Sequence, residues 1–177
     1  MPRPSAPSSA KKEGLTHRLP TDREWSIAVG IGDQEASTVA TPESLSGKLK
    51  NVYPWGTSWP PAKAADNYAD TDCKSQHPTE KIIEAYTDGF PIKSPVMSFP
   101  PNALAIHDLG GNVWEWCEDF YNTDNKDHFL RGASWGSSAP QPLLLSFRGN
   151  QPSTRRWRCD GFRCVIDESA PGKASHQ

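Results

Sequence analysis

The chain lacks any apolar run approaching the roughly 20 residues that cross a bilayer, so no membrane span is expected. Only four cysteines occur, at 73, 117, 159 and 164, too few for the dense disulfide framework of a small secreted scaffold. Positive charge is not in excess either: 19 Lys and Arg stand against 21 Asp and Glu, a net charge of −2. Binding to a nucleic-acid backbone needs a broad basic surplus, so no nucleic-acid partner is expected. The N-terminal MPRPSAPSSAKKEG has no hydrophobic stretch behind its basic residues and does not read as a secretory signal. A cytoplasmic setting with reduced thiols is therefore expected. Long helices are also disfavoured, because 17 Pro and 13 Gly interrupt the 177 residues.

What the chain does have is tryptophan. Seven indoles, in a chain of mean hydropathy −0.69, can build a core where regular structure is sparse. The length suits one domain. Residues 1–17 and 168–177 are rich in Pro, Ala, Ser and Lys and read as disordered, leaving a folded domain at 18–167. Thr21 and Glu24 form a capping box ahead of an apolar face of Trp25, Ala28 and Val29, which predicts a short helix. YPWGTSWPP at 53–61 has too many breakers for helix or strand and reads as an aromatic packed loop. Short β-prone runs at 95–99, 103–108, 113–118, 129–135 and 161–166 predict strands. The sum is an α+β fold with one or two early helices, short twisted antiparallel strands and much irregular structure.

GNVWEWCEDFYN, at 111–122, crowds two tryptophans, acids and a cysteine around a Gly-Asn turn. Active site, metal clamp and core are all open readings of it. Its two tryptophans, Trp114 and Trp116, are expected on different sides of a short strand.

Taken in order, RLPTDREW (18–25), YPWG (53–56), NYAD (67–70), DGF, SPVMSFPPN, LGGNVWEWCEDFY, LRGASW (130–135), FRGN and GFRCV resemble the formylglycine-generating enzyme (sulfatase-modifying factor) domain family. The resemblance implies that family's variant of the C-type lectin fold, with bound structural calcium. It covers about 150 residues and lacks the family's usual N-terminal third, so the chain reads as a minimal version or a fragment.

Calcium takes six to eight oxygens, which loops supply as carboxylates, amides and unused carbonyls. Carried over by motif, one site would use the side chains of Asn67 and Asp88 with the carbonyls of Tyr68 and Phe90. A second would use the side chains of Asp108 and Glu115 with the carbonyls of Gly111 and Val113. The residues alone leave a blander alternative open, in which Asp108 and Glu115 cap turns and Asn67 holds an Asx-turn.

The family's enzymes place two copper-binding cysteines just after the motif that LRGASW resembles. Here ASWGSSAPQPLLLSFRG, at 133–149, contains none. Serine cannot replace a thiolate on Cu(I), so no copper and no oxidase activity are expected. Cys159 and Cys164 are five positions apart, the interval the resemblance implies for the copper pair, but they bracket the GFR motif, well downstream. Cys117 reads as packing, with a pairing to Cys164 left open.

The framework motifs keep the family pattern, whereas GSSAPQPLLLS and STRRWRC depart from it. This resembles the variable proteins of diversity-generating retroelements, some of which use this fold and diversify a C-terminal ligand face. The expected face spans about 136–159 and comprises Trp135, Ser137, Ser138, Leu143, Leu145, Arg148, Arg155, Arg156, Trp157 and Arg158. Arg and aromatic residues are enriched in binding hot spots. The implied function is a catalytically inactive domain that binds a protein or other macromolecule. Its competitors are an oxidase working through Cys159 and Cys164, and a structural accessory module of a larger chain.

Overall fold

The computed structural model describes residues 16–35, 40–124 and 127–167. The two ends expected to be disordered lie outside these residues, apart from Thr16 and His17. Those two belong to β1 (Thr16–Arg18), which pairs antiparallel with β6 (Val165–Asp167). The pairing closes the first described residues on the last.

The capping box forms as predicted. Thr21 Oγ1 accepts the Glu24 N–H at 3.2 Å and Glu24 Oε2 accepts the Thr21 N–H at 2.8 Å, starting α1 (Asp22–Ala28). This entry turns Trp25 inward to 1% exposure, where it packs with Leu109, Cys117 and Phe129. Two further helices follow: α2 (Pro42–Leu45) and α3 (Thr71–Gln76), capped by Thr41 and Asp70.

The main sheet has the order β4-β3-β2-β5, from β2 (Trp114–Phe120), β3 (His128–Arg131), β4 (Gly149–Gln151) and β5 (Asp160–Gly161). β2 runs antiparallel to β3 but parallel to β5, so the sheet is mixed rather than wholly antiparallel. Along β2, Glu115 and Cys117 are buried while Trp114 and Trp116 are half-buried. Residues two apart share a face of a strand, so the two tryptophans lie on one side, contrary to the expectation.

Two predicted strands do not form. Segments 95–99 and 103–108 are turns and bends, with left-handed φ at Met97 (64°), Ala105 (59°) and Asp108 (56°) that an extended chain cannot hold. Asn102 Oδ1 accepts the N–H groups of Leu104 (2.9 Å) and Ile106 (3.1 Å), substituting for a ladder. The 129–135 run ends as a strand at Arg131, where Gly132 and Ala133 take φ of 89° and 64°. The 161–166 run is split between β5 and β6.

Aromatic rings fill the largest core. Tyr53 stacks on Trp55 with centroids 4.9 Å apart, and Trp55 meets Tyr68 edge-on at 5.4 Å. Ile83, Tyr86, Ala133, Leu143 and Leu144 complete this cluster. A buried polar knot lies against the Trp25 cluster. Arg148, 1% exposed, bonds Asp22 Oδ2 at 2.8 Å and Glu35 Oε1 and Oε2 at 2.7 Å each. Arg131, fully buried, binds Asp22 and stacks 4.2 Å from the Trp25 ring centre. Two guanidinium charges thus meet two carboxylates, as burial of charge requires.

Candidate functional site

The acid-rich DNYADTD, at 66–72, meets the TDGF turn at 87–90. Asp70 caps α3 with one oxygen on the Cys73 N–H (2.8 Å) and gives its other oxygen to the Asp88 N–H (2.7 Å). Asp72 Oδ2 accepts from the Thr87 hydroxyl (2.6 Å) and the Gly89 N–H (3.0 Å). Asp88 in turn accepts from the Tyr68 and Phe90 N–H groups, both at 2.9 Å. Through these bonds, carboxylate oxygens of Asp70, Asp72 and Asp88 gather within 4.8 Å of one another. The arrangement can hold a metal ion.

Asn67 provides a test of fit. It is fully buried, its Nδ2 donates to the Ile92 carbonyl at 2.7 Å, and its Oδ1 has no hydrogen-bond partner. A buried amide oxygen without a donor is costly unless a cation meets it. Burial also pushes the Asp88 carboxyl up to about 7, and that of neighbouring Asp66 likewise to about 7. Of the first predicted set, Asn67, Tyr68, Asp88 and Phe90, Asp88 belongs to the acid group that can hold an ion, and Asn67 offers an unpartnered buried oxygen.

The second predicted set is differently engaged. Arg163 grips Glu115 with Nε on Oε2 and Nη2 on Oε1, both at 2.7 Å, and the Trp25 indole donates to Oε2 at 3.0 Å. The same guanidinium reaches the carbonyls of His107 and Asp108, each at 3.1 Å. Asp108 keeps one buried oxygen without a partner, while its other oxygen accepts the Met97 N–H at 2.8 Å. Arg163 thus already balances the charge of Glu115, while the unpartnered Asp108 oxygen is left as the open acceptor of this set.

Gly111 and Val113 of that set lie in the turn leading to β2. A Cβ at Gly111 would come 2.6 Å from the Asn67 carbonyl oxygen and 2.7 Å from Asp66 Oδ1. Glycine is what lets the two acid-bearing loops touch. Asn112 pins them: its N–H donates to the Asn67 carbonyl (3.0 Å) and its side chain exchanges bonds with the Ser94 backbone.

Around the LRGASW turn, Ser137 Oγ accepts the Ser134 N–H at 3.1 Å. Cys159 arrives there from the far side of the chain, its Sγ 3.7 Å from where a Gly136 Cβ would stand. All four cysteines are free, so Cys117 and Cys164 do not pair. Burial pushes every one of the four thiols up, and the Ser134 hydroxyl offsets this only in part at Cys159. They remain protonated and weakly nucleophilic at neutral pH.

The expected ligand face divides in two. Trp135 (3%), Leu143 (2%), Leu145 (8%), Arg148 (1%) and Ser137 (8%) are buried, so they support the surface from within and cannot touch a partner directly. Ser138 and Arg155 are half-buried, and Arg156, Trp157 and Arg158 are exposed. Arg155 lies 4.1 Å from the Trp157 ring centre, and Arg158 5.0 Å from that of Trp135. Sequence reasoning missed Asp66, Asp70 and Asp72, although the close spacing of acids around NYAD was a signal. It also missed the Asp22, Glu35 and Arg131 knot, whose partners are far apart in the chain.

A family model described as a sulfatase-modifying factor enzyme 1-like domain matches residues 6–168. The inactive C-alpha-formylglycine-generating enzyme 2 of Bos taurus is 34% identical over 161 residues, covering 87% of this chain and 45% of the relative. The formylglycine-generating enzyme of Thermomonospora curvata is 30% identical over 139 residues, covering 78% of this chain and 36% of the relative. The chain thus spans less than half the length of these relatives. Among solved structures, PvdO from Pseudomonas aeruginosa superposes with a TM-score of 0.59 at 22% identity, over 90% of this chain and 56% of that one. The α+β arrangement is the formylglycine-generating-enzyme form of the C-type lectin fold, and the chain belongs to the sulfatase-modifying factor enzyme 1-like domain family.

Proposed function

We propose that this chain is a catalytically silent member of its family, working in the cytoplasm, that recognises a macromolecular ligand through the loop at 152–159 and the adjoining turn at 136–142. The observation that carries this reading is the position of the departures from the family pattern. Where the enzymes present thiols, the chain has Ser137 and an apolar run, and the Leu residues of that run are buried. Arg156, Trp157 and Arg158 instead project to solvent beside it. A relative described as inactive supports the same reading.

Calcium, in this proposal, is structural. Asn67 Oδ1 and Asp88, with the Tyr68 and Phe90 carbonyls, would hold it and tie α3 to the 87–90 turn. Asp70 and Asp72 add negative charge beside that site.

The ligand surface can be tested at the level of the gene. If it belongs to a retroelement-diversified protein, the 3′ end sequenced across isolates should vary at template adenines, in codons for the exposed and half-buried residues 153–158 and 138–141. Codons for Leu143, Leu145 and Arg148 should be constant, because their side chains are buried. Variation spread evenly over core and surface codons, or a uniform sequence throughout, would remove the retroelement reading.

A further inference from the structure

The 152–159 loop leaves β4 and returns into β5, and its three arginines are not equivalent. Arg155 is already committed: its Nε meets Asp160 Oδ2 at 2.9 Å, and its guanidinium backs the inner face of Trp157. That leaves Trp157 propped outward at 56% exposure. Arg156 bonds only backbone carbonyls, those of Ser153 (3.2 Å) and Arg155 (2.7 Å). Arg158 rests on the covered ring of Trp135. Among the described residues, neither Arg156 nor Arg158 has a carboxylate within ion-pair distance.

The result is an exposed indole between two guanidinium groups with open donors, one stacked and the other tethered to the backbone. Groups already restrained lose less conformational entropy on binding. Guanidinium forks match carboxylates in bidentate geometry, and a neighbouring indole offers apolar contact at little entropic cost. A long polyanion fits less well. Nucleic-acid affinity grows with the number of phosphates neutralised, and here two open cations sit on a chain of net charge −2.

We propose that Arg156, Trp157 and Arg158 form a docking site for an acidic polypeptide segment, in which carboxylates flank an apolar side chain. This rests on the binding reading above and gives it a partner chemistry. The test is selection of a random-peptide display library on the whole chain, in parallel with the Arg156→Gln, Trp157→Ser, Arg158→Gln triple variant. Gln keeps part of the stem that covers Trp135. The single Arg156→Gln variant, which touches only solvent and carbonyls, repeats the comparison should the triple variant unfold.

The expected result is a set of acidic peptides bound by the native chain and lost from the variants, with binding weakened about tenfold or more when their Glu and Asp become Gln and Asn. Neutral peptides that still depend on the three residues would overturn the acidic partner while sparing the surface. Peptides that bind variant and native chains alike, or no enrichment at all, would overturn both. Tighter binding of an oligothymidylate probe than of the acidic peptides would overturn the proposal in favour of a nucleic acid.

Discussion

Arg148 shows how much a single side chain can be asked to do. Its guanidinium joins α1 through Asp22, the 31–35 turn through Glu35, and its own loop through the Ser146 carbonyl at 2.7 Å. Removing it leaves Glu35 buried without a cation and Asp22 with Arg131 alone, so Arg148→Met should cost about 3–5 kcal/mol in urea unfolding. A cost under about 1 kcal/mol would contradict the knot as described. Arg18 and Glu24 make a second, more exposed pair, with bonds of 2.6 and 2.7 Å. The Arg18 hydrogen bonds hold the Glu24 carboxyl down at about 2, below its ordinary 4.5. A depressed carboxyl favours folding above its ordinary value, and that contribution is lost as pH falls from 4.5 towards 2. Solvent screens the pair, so about 1 kcal/mol or less is at stake. The melting temperature of Glu24→Gln should therefore respond less to pH in this window than that of the native chain. An unchanged slope would count against the pair.

Elements were legible where the signal was local. The Thr21 and Glu24 box marked α1, and the 113–118 run marked β2, because capping and strand propensity act over a few residues. Segments 95–99 and 103–108 misled because nothing in their composition announces the left-handed φ at Met97 and Ala105. Leu143, Leu144 and Leu145 misled for another reason. A strand would expose about every second one, but turn bonds from Leu144 N to the Gln141 carbonyl and from Phe147 N to the Leu144 carbonyl coil the segment, and all three are buried. Arg148 looked like a surface residue because Asp22 and Glu35 are more than a hundred positions away. The division between buried run and exposed loop is measurable. Leu143→Ala should cost about 2–5 kcal/mol, and Trp157→Ser no more than about 0.5 kcal/mol. A reversal of that order in chemical denaturation would show that the two segments have been misplaced.

On the scale of the whole molecule, the domain has few regular elements and depends on aromatic clusters, a paired-charge knot and loops joined at Gly111 and Asn112. Acids concentrate at the loop junction, and a dication there should brace it. Calcium at roughly one hundred times its Kd should raise stability by about 2.7 kcal/mol. Asp88→Ala should abolish that gain, whereas equal stabilisation of native and variant chains would place the ion elsewhere. Of the acid group, the motifs made Asp88 legible, while the engagement of Glu115 by Arg163 depended on a contact between residues 48 positions apart. Recognition without oxidation is the central claim, and it is tested most directly by incubating the chain with Cu(I), dioxygen and a cysteine-containing sulfatase peptide. The Thermomonospora curvata formylglycine-generating enzyme serves as the positive control. The peptide cysteine should emerge unchanged from this chain under conditions where the control converts it; copper-dependent formation of formylglycine would contradict the account.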